Sequence, residues 1–180
     1  MKRLLASIAV LLLITSYLMS CEKDDICAEG TPTTPGLVVE FYKKDNQSVL
    51  NPVSHPTTNI VYYVQESVKR DTLKSGSKLI LPLKTDADEV TWALEYNSTS
   101  SAGVKTTNTD FFTIKYTRKE TYVSRACGYK TTFTLHPDTV ENPNPLPTDP
   151  VSENALFIKD VVVVTPNIET ENEVHVKIYF

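Results

Sequence analysis

The chain has 180 residues, 41% of them hydrophobic, with 22 acidic side chains against 18 basic ones and a net charge of −4. That length suits one domain with appendages and a single core, and the slightly acidic balance excludes a charge-based nucleic-acid surface, which needs clustered Lys and Arg. With 5 Gly, 11 Pro and 3 Cys, collagen-like repeats and disulfide-dense scaffolds are excluded as well.

The first element is an address. Lys2 and Arg3 form a positive start, and Leu4 to Ile14 form an apolar stretch broken only by Ser7. A bilayer span needs roughly 20 apolar residues, so this layout predicts a secretory signal peptide over residues 1–20. The boundary Leu18-Met19-Ser20-Cys21 resembles a bacterial lipoprotein box, in which the cysteine thiol accepts a diacylglycerol. Cys21 is thus the expected lipidation site and first mature residue. A plain signal peptide followed by a chance cysteine is the alternative. Two or three acyl chains would make such an anchor stable, since each buried methylene contributes about 0.8 kcal/mol. With Lys2 and Arg3 lost, the net charge becomes −6. An anionic body would not lie flat on anionic headgroups. The run Lys23-Asp24-Asp25 resembles the surface-export signal of Bacteroidetes-type lipoproteins; otherwise it is a solvated spacer.

Residues 21–36 read as a lipidated, Thr- and Pro-bearing stalk. Once Cys21 is acylated, Cys27 and Cys127 remain in an oxidising compartment, and even parity there favours a disulfide. The bridge would pin the stalk to the body. Otherwise Cys127 is a buried apolar thiol and Cys27 a free one. There is no Cys-x-x-Cys pair and the three histidines are scattered, so no metal site is expected.

Residues 37–180 read as an all-β domain. Thr and Val supply 40 of the 160 residues from Cys21 onward, which suits pleated surfaces. Period-two stripes recur in chain order: Leu37-Val39-Phe41, Ile60-Tyr62-Val64, Leu79-Leu81-Leu83, Val90-Trp92-Leu94-Tyr96, Phe112-Ile114-Tyr116 and Tyr129-Thr131-Phe133-Leu135. The end carries Leu156 to Val164 and then Val174-Val176-Ile178-Phe180. Turn chemistry separates them at Asp45-Asn46, Asn51-Pro52, Ser75-Gly76, Asp86-Ala87-Asp88, Asn97 to Gly103 and Pro166-Asn167. About eight short strands predict an antiparallel β-sandwich of immunoglobulin-like type, with Trp92 at its centre. Residues 136–154 hold five of the eleven prolines. This Pro-rich loop is expected to project from the domain, a linker being the alternative, while the last strands complete the sandwich.

Reactive constellations are scarce. There is no Gly-x-Ser-x-Gly, no His-Glu-x-x-His and no phosphate-cradling glycine loop. His55 and His136 each precede proline and read as exposed loop residues; His175 falls on the polar face of the last strand and reads as solvated. Asp86, Asp88 and Glu89 lack the glycine and distal Glu of a calcium loop and read as a hairpin turn. Asp71-Thr72-Leu73 and Asp138-Thr139-Val140 resemble the O-glycosylation sequon of the same bacterial group, making Thr72 and Thr139 candidate acceptors. Asn97-Ser98-Thr99 matches an N-glycosylation sequon and reads as a turn.

Residues 21–36 (CEKDDICAEGTPTTPG), 127–133 (CGYKTTF) and 175–180 (HVKIYF) together resemble a family of small Bacteroidetes lipoproteins, catalogued as a domain of unknown function. The resemblance implies a lipidated β-rich envelope protein and supplies no activity, substrate or cofactor. The expectation is a lipid-anchored outer-membrane lipoprotein that binds or braces without catalysis. Its partners would be the membrane, through the anchor, and an outer-membrane protein or a glycan. The rivals are a sugar-processing hydrolase with a site assembled from distant loops, and a carbohydrate-binding module. The module would need an exposed coplanar aromatic pair drawn from Tyr42, Tyr63 and Tyr179.

Overall fold

The computed structural model describes residues 26–31, 33–42, 60–65, 69, 71–72, 77–150 and 155–180. The leader, Cys21, the Lys-Asp-Asp run, His55 and the turns at 45–46, 51–52 and 75–76 lie outside the described residues. The chain divides into two compact units: residues 1–31 with 122–129, and residues 32–121 with 130–180.

The larger unit is the expected β-sandwich, two packed sheets with one apolar core between them. Its four-stranded sheet has the order β4(Lys78–Leu81), β1(Leu37–Tyr42), β11(Val176–Tyr179), β9(Asp160–Val163). The other sheet has the order β10(Asn167–Ile168), β7(Gly128–Leu135), β6(Lys105–Ser124), β5(Glu89–Thr99), β2(Ile60–Val64), β3(Asp71–Thr72). A further strand, β8(Leu146–Thr148), pairs with β6 at Phe111–Thr113. Those β6 residues already pair with β5 on their other side, so β8 extends the edge that β7 occupies further along.

The stripes become the core. Val90, Trp92 and Leu94 of β5 lie opposite Ile114, Phe112 and Asp110 of β6, and every apolar member of the six is 5% exposed or less. Their neighbours point outward, where the Thr91 and Thr113 hydroxyls meet at 2.9 Å. A tight turn closes this hairpin: Gly103 N–H donates to Ser100 O at 2.9 Å, and Gly103 takes φ +79°, open to glycine without strain. Facing this layer are Leu37, Val39 and Phe41 of β1 and Val176 and Ile178 of β11, all fully buried.

Four features depart from the sequence expectation. First, β1 and β11 run parallel, with Val39 beside Val176 and Tyr42 beside Tyr179. The N-terminal strand therefore sits inside its sheet, between β4 and β11, which is not the strand order of an immunoglobulin domain. Second, three short strands, β3, β8 and β10, carry no stripe long enough to read, and Asn167-Ile168 pairs with β7 where a turn is expected.

Third, the 136–154 loop is exposed over residues 136–143, but from Asn144 it returns to the sheet. Asn144 is 2% exposed, and its carboxamide acts as a strand partner. Its Oδ1 accepts from Lys115 N–H at 2.8 Å, and its Nδ2 donates to Lys115 O at 2.9 Å and His136 O at 2.8 Å. The loop is drawn along β6 because these backbone groups need partners. Residues 151–154 lie outside the described residues.

Fourth, His175 is fully buried rather than solvated. It precedes β11, and its Nδ1 accepts the Val38 N–H at 2.9 Å while its own N–H donates to Val38 O at 3.0 Å. Burial pushes the imidazole below the usual histidine range, against the opposing pull of Glu173 and Glu171. Nδ1 can accept that bond only when unprotonated.

Two outcomes follow from these contacts. The unfolded His175 takes up a proton below pH about 6.5, and the folded one only at lower pH. Its contribution to stability is therefore complete above that value and falls as the pH drops toward the folded pKa. Urea unfolding at pH 7.5 and 5.5 should show a smaller loss for His175→Gln than for the parent. Asn144→Ala should cost about 1–2 kcal/mol in the same assay, because Lys115 N–H and His136 O lose the part-buried hydrogen bonds that the Asn144 carboxamide makes.

Candidate functional site

The smaller unit carries the disulfide. Cys27 and Cys127 are bonded at 1.99 Å, across a sequence separation of 100. The bridge joins residues 26–31 to the tip formed by the end of β6, the turn 125–127 and the start of β7. Two local bonds order the partners: Cys127 N–H donates to Ser124 Oγ at 3.0 Å, and Thr31 Oγ1 donates to Ala28 O at 2.7 Å. Around the bridge are the most solvent-exposed large apolar groups of this unit, Ile26 at 84%, Tyr129 at 70% and Tyr122 at 57%. The two tyrosine rings meet edge to face, 5.4 Å between centroids. This arrangement was only half legible: parity gave the bridge, but nothing in the stripes says that Tyr122 and Tyr129 stand in solvent.

Two cavities of the sandwich are lined by described residues. The larger, of about 590 Å³, is lined chiefly by Tyr96, Phe157, Phe180, Leu156, Asn108 and Lys159. Tyr96 and Phe157 pack with centroids 5.7 Å apart, and Asn108 Nδ2 donates to Ala155 O at 2.8 Å. Asp110 follows on the same face of β6 and is fully buried, its Oδ2 accepting from Ile158 N–H at 2.8 Å. Burial raises its pKa, against the opposing pull of the Ile158 and Phe157 N–H groups. An acid breaking the inward row Asp110-Phe112-Ile114-Tyr116 was a readable signal that a main-chain segment docks there. The smaller cavity, of about 390 Å³, is bounded by Tyr62, Tyr63, Trp92, Ile80, Lys69 and Asp71.

The outer face of the four-stranded sheet carries two of the three aromatic residues expected of a sugar platform, Tyr42 and Tyr179, and they are otherwise employed. Tyr42 is 6% exposed and donates to Glu40 Oε2 at 2.8 Å. Burial first, then that hydrogen bond and the Glu40 charge, push its pKa up to about 12. Tyr179 packs on Tyr42 with centroids 5.4 Å apart and an interplanar angle of 34°, and Lys177 Nζ sits 5.0 Å from the Tyr42 ring centre. The pair is tilted and half hidden, not a coplanar platform; Tyr63 instead lines the smaller cavity.

The remaining candidates are placed separately. Asp88 Oδ1 accepts from Arg118 Nε at 2.7 Å, and Glu89 pairs with Lys115 at 3.8 Å, so these acids stabilise the entry to β5. No group of three or more His, Cys, Asp or Glu able to hold a metal ion occurs among the described residues. His136 is exposed, its N–H donating to Lys115 O at 3.0 Å. Thr139 is exposed in a turn where Asn142 N–H donates to its Oγ1 at 3.0 Å. Thr72 lies in β3, opposite Val61.

Fold, bridge and cavities define a small β-sandwich protein with a disulfide-closed tip. Residues 57–180 match a family described as a family of unknown function (DUF6452), and the chain belongs to that family. No curated protein and no solved structure matches the chain.

Breaking the bridge should be expensive. Closing a loop of this length removes up to about 4.7 kcal/mol of unfolded-chain entropy, and measured losses fall at about 2–5 kcal/mol. The Cys27→Ser/Cys127→Ser double variant should lose stability in that range by urea unfolding, and alkylation of the unreduced parent should label neither residue.

Proposed function

We propose that this chain is a lipid-anchored outer-membrane lipoprotein whose sandwich binds a partner or braces an envelope assembly without catalysis. The observation that carries the reading is the interval between Cys21 and the bridge. Six residues of extended chain reach about 20 Å at most, so an acylated Cys21 keeps the Cys27–Cys127 tip near the bilayer surface. Exposed Ile26, Tyr122 and Tyr129 suit that position, because tyrosine is favoured where apolar and wet environments meet. The leader, the box ending in Cys21 and the bridged state of the other two cysteines are mutually consistent with export from a reducing cytosol.

The likeness of residues 21–36, 127–133 and 175–180 to Bacteroidetes lipoproteins supports the same assignment, and Lys23-Asp24-Asp25 supports export to the outer face. In this reading Thr139, exposed at a turn, is the favoured O-glycan acceptor, ahead of Thr72 in its paired strand. A hydrolase reading draws less support, since Asp88 and Glu89 are spent on Arg118 and Lys115.

The test is processing. Globomycin, which blocks the lipoprotein signal peptidase, should make the full-length precursor accumulate, and Cys21→Ser should abolish incorporation of labelled palmitate. Normal maturation in globomycin, or palmitate retained by Cys21→Ser, would overturn the anchor.

A further inference from the structure

The smaller unit gathers large apolar side chains in solvent. Ile26 is 84% exposed, Tyr129 70% and Tyr122 57%. They form one patch. Ile26 and Tyr122 line a shallow hollow beside the bridge, together with Val123, Ala126 and Cys127, and the Tyr122 and Tyr129 rings meet with centroids 5.4 Å apart. The disulfide fixes this grouping, because it ties the residue after Ile26 to a position 100 residues further along the chain. A grouped apolar patch on a surface marks a place where something else docks.

Three properties of the patch select its partner. The first is ring geometry. Rings inclined by 68° offer no shared flat face to a sugar. Each tyrosine does combine an apolar ring with a polar hydroxyl, which is favoured where hydrocarbon meets water. The second is charge. The described residues of this unit hold one acid, Glu29, and one base, Arg125, so they are neutral in sum, whereas the whole chain carries −4. A neutral patch is spared the repulsion that an anionic surface meets at anionic headgroups. The third is position in the chain. Ile26 lies five residues after Cys21, and five residues of extended chain span about 18 Å at most. With Cys21 acylated, the apolar phase within that reach is the bilayer.

We propose that the tip is a second membrane contact: Ile26, Tyr122 and Tyr129 enter the headgroup region of a phospholipid bilayer, with the rings at the acyl boundary and the hydroxyls among the ester and phosphate oxygens. The proposal rests on the anchor reading and deepens it, adding a contact made by side chains to the one made by acyl chains. A face held in this way lies roughly 5–10 Å into the boundary between headgroups and acyl chains.

Depth-dependent quenching tests it. The full-length chain carrying Tyr129→Trp would be mixed with phosphatidylcholine vesicles whose acyl chains are brominated either near the glycerol or near the methyl end, since bromine quenches indole emission on contact. Trp92, the sole native tryptophan and 5% exposed, supplies the background. The added emission should shift to the blue, and it should lose more intensity to bromine near the glycerol than to bromine near the methyl end. Ile26→Asp in the same chain should reverse most of that loss, because a carboxylate resists leaving water. Tyr122→Trp is a second reporter should Tyr129→Trp disturb the fold, and Tyr179→Trp, outside this unit, should be quenched by neither label. Palmitate incorporation is read on the same preparation, which separates the tip from the anchor. Shallow quenching without palmitate would support the tip contact and remove the anchor. Palmitate without quenching at position 122 or 129 would overturn the tip contact and spare the anchor, leaving the patch to a protein partner. Neither signal would overturn both. Quenching strongest from the methyl end, or equal at positions 129 and 179, would also overturn the tip contact.

Discussion

The pairing of β1 with β11 is the constraint on which the sandwich rests. It brings together residues 137 apart in sequence, Val38 and His175, through hydrogen bonds in both directions. One end is secured by Gly36 N–H donating to Glu171 Oε1 at 2.7 Å, the other by Phe180 N–H donating to Tyr42 O at 3.1 Å. Closing so long a loop costs entropy that grows only slowly with length, and the burial of all six β1 residues offsets it. The approach is close: a Cβ on Gly36 would come 2.5 Å from Ile80 Cγ2, so any larger residue there would make the Ile80 side chain turn aside. A strand enclosed on both sides must also satisfy its outward polar groups. Glu40, 6% exposed, does so through the Tyr42 hydroxyl and Lys78 Nζ at 3.8 Å.

One device recurs wherever a ladder ends. A side chain stands in for the missing strand: His175 for Val38, Asn144 for Lys115 and His136, Asp110 for Ile158. Tyr116 does the same across the sheets, its hydroxyl accepting from Lys84 N–H at 2.9 Å and donating to Lys84 O at 3.1 Å. Buried main-chain groups cannot be left unpaired, so short strands and long connections are tied down by polar residues rather than by more apolar surface. These contacts specify where loops dock, while the core supplies the bulk of the stability.

The scaffold is thereby separated from the surfaces that can meet other molecules. Trp92 belongs to both, part of the core through its ring and a wall of the smaller cavity. The bridge and its exposed tyrosines belong to a second unit, continuous with β6 and β7 in the chain. Tip and cavity are thus distinct features that separate substitutions can address.

Read alone, the sequence settles the local facts. Period-two stripes locate the long strands and their inward faces, because alternation is a property of the extended backbone itself; Val90-Trp92-Leu94 and Phe112-Ile114-Tyr116 are buried as the pattern demands. Cysteine parity likewise gives the Cys27–Cys127 bridge. What it leaves open is which strands become neighbours and where polar side chains end. The parallel β1–β11 pair, the burial of His175 and the capture of residues 144–148 along β6 depend on partners dozens of residues away. His175 and Asn144 are polar letters in polar surroundings, indistinguishable locally from solvated ones. Only when the tertiary fold presents an unpaired N–H or C=O does each side chain acquire its place.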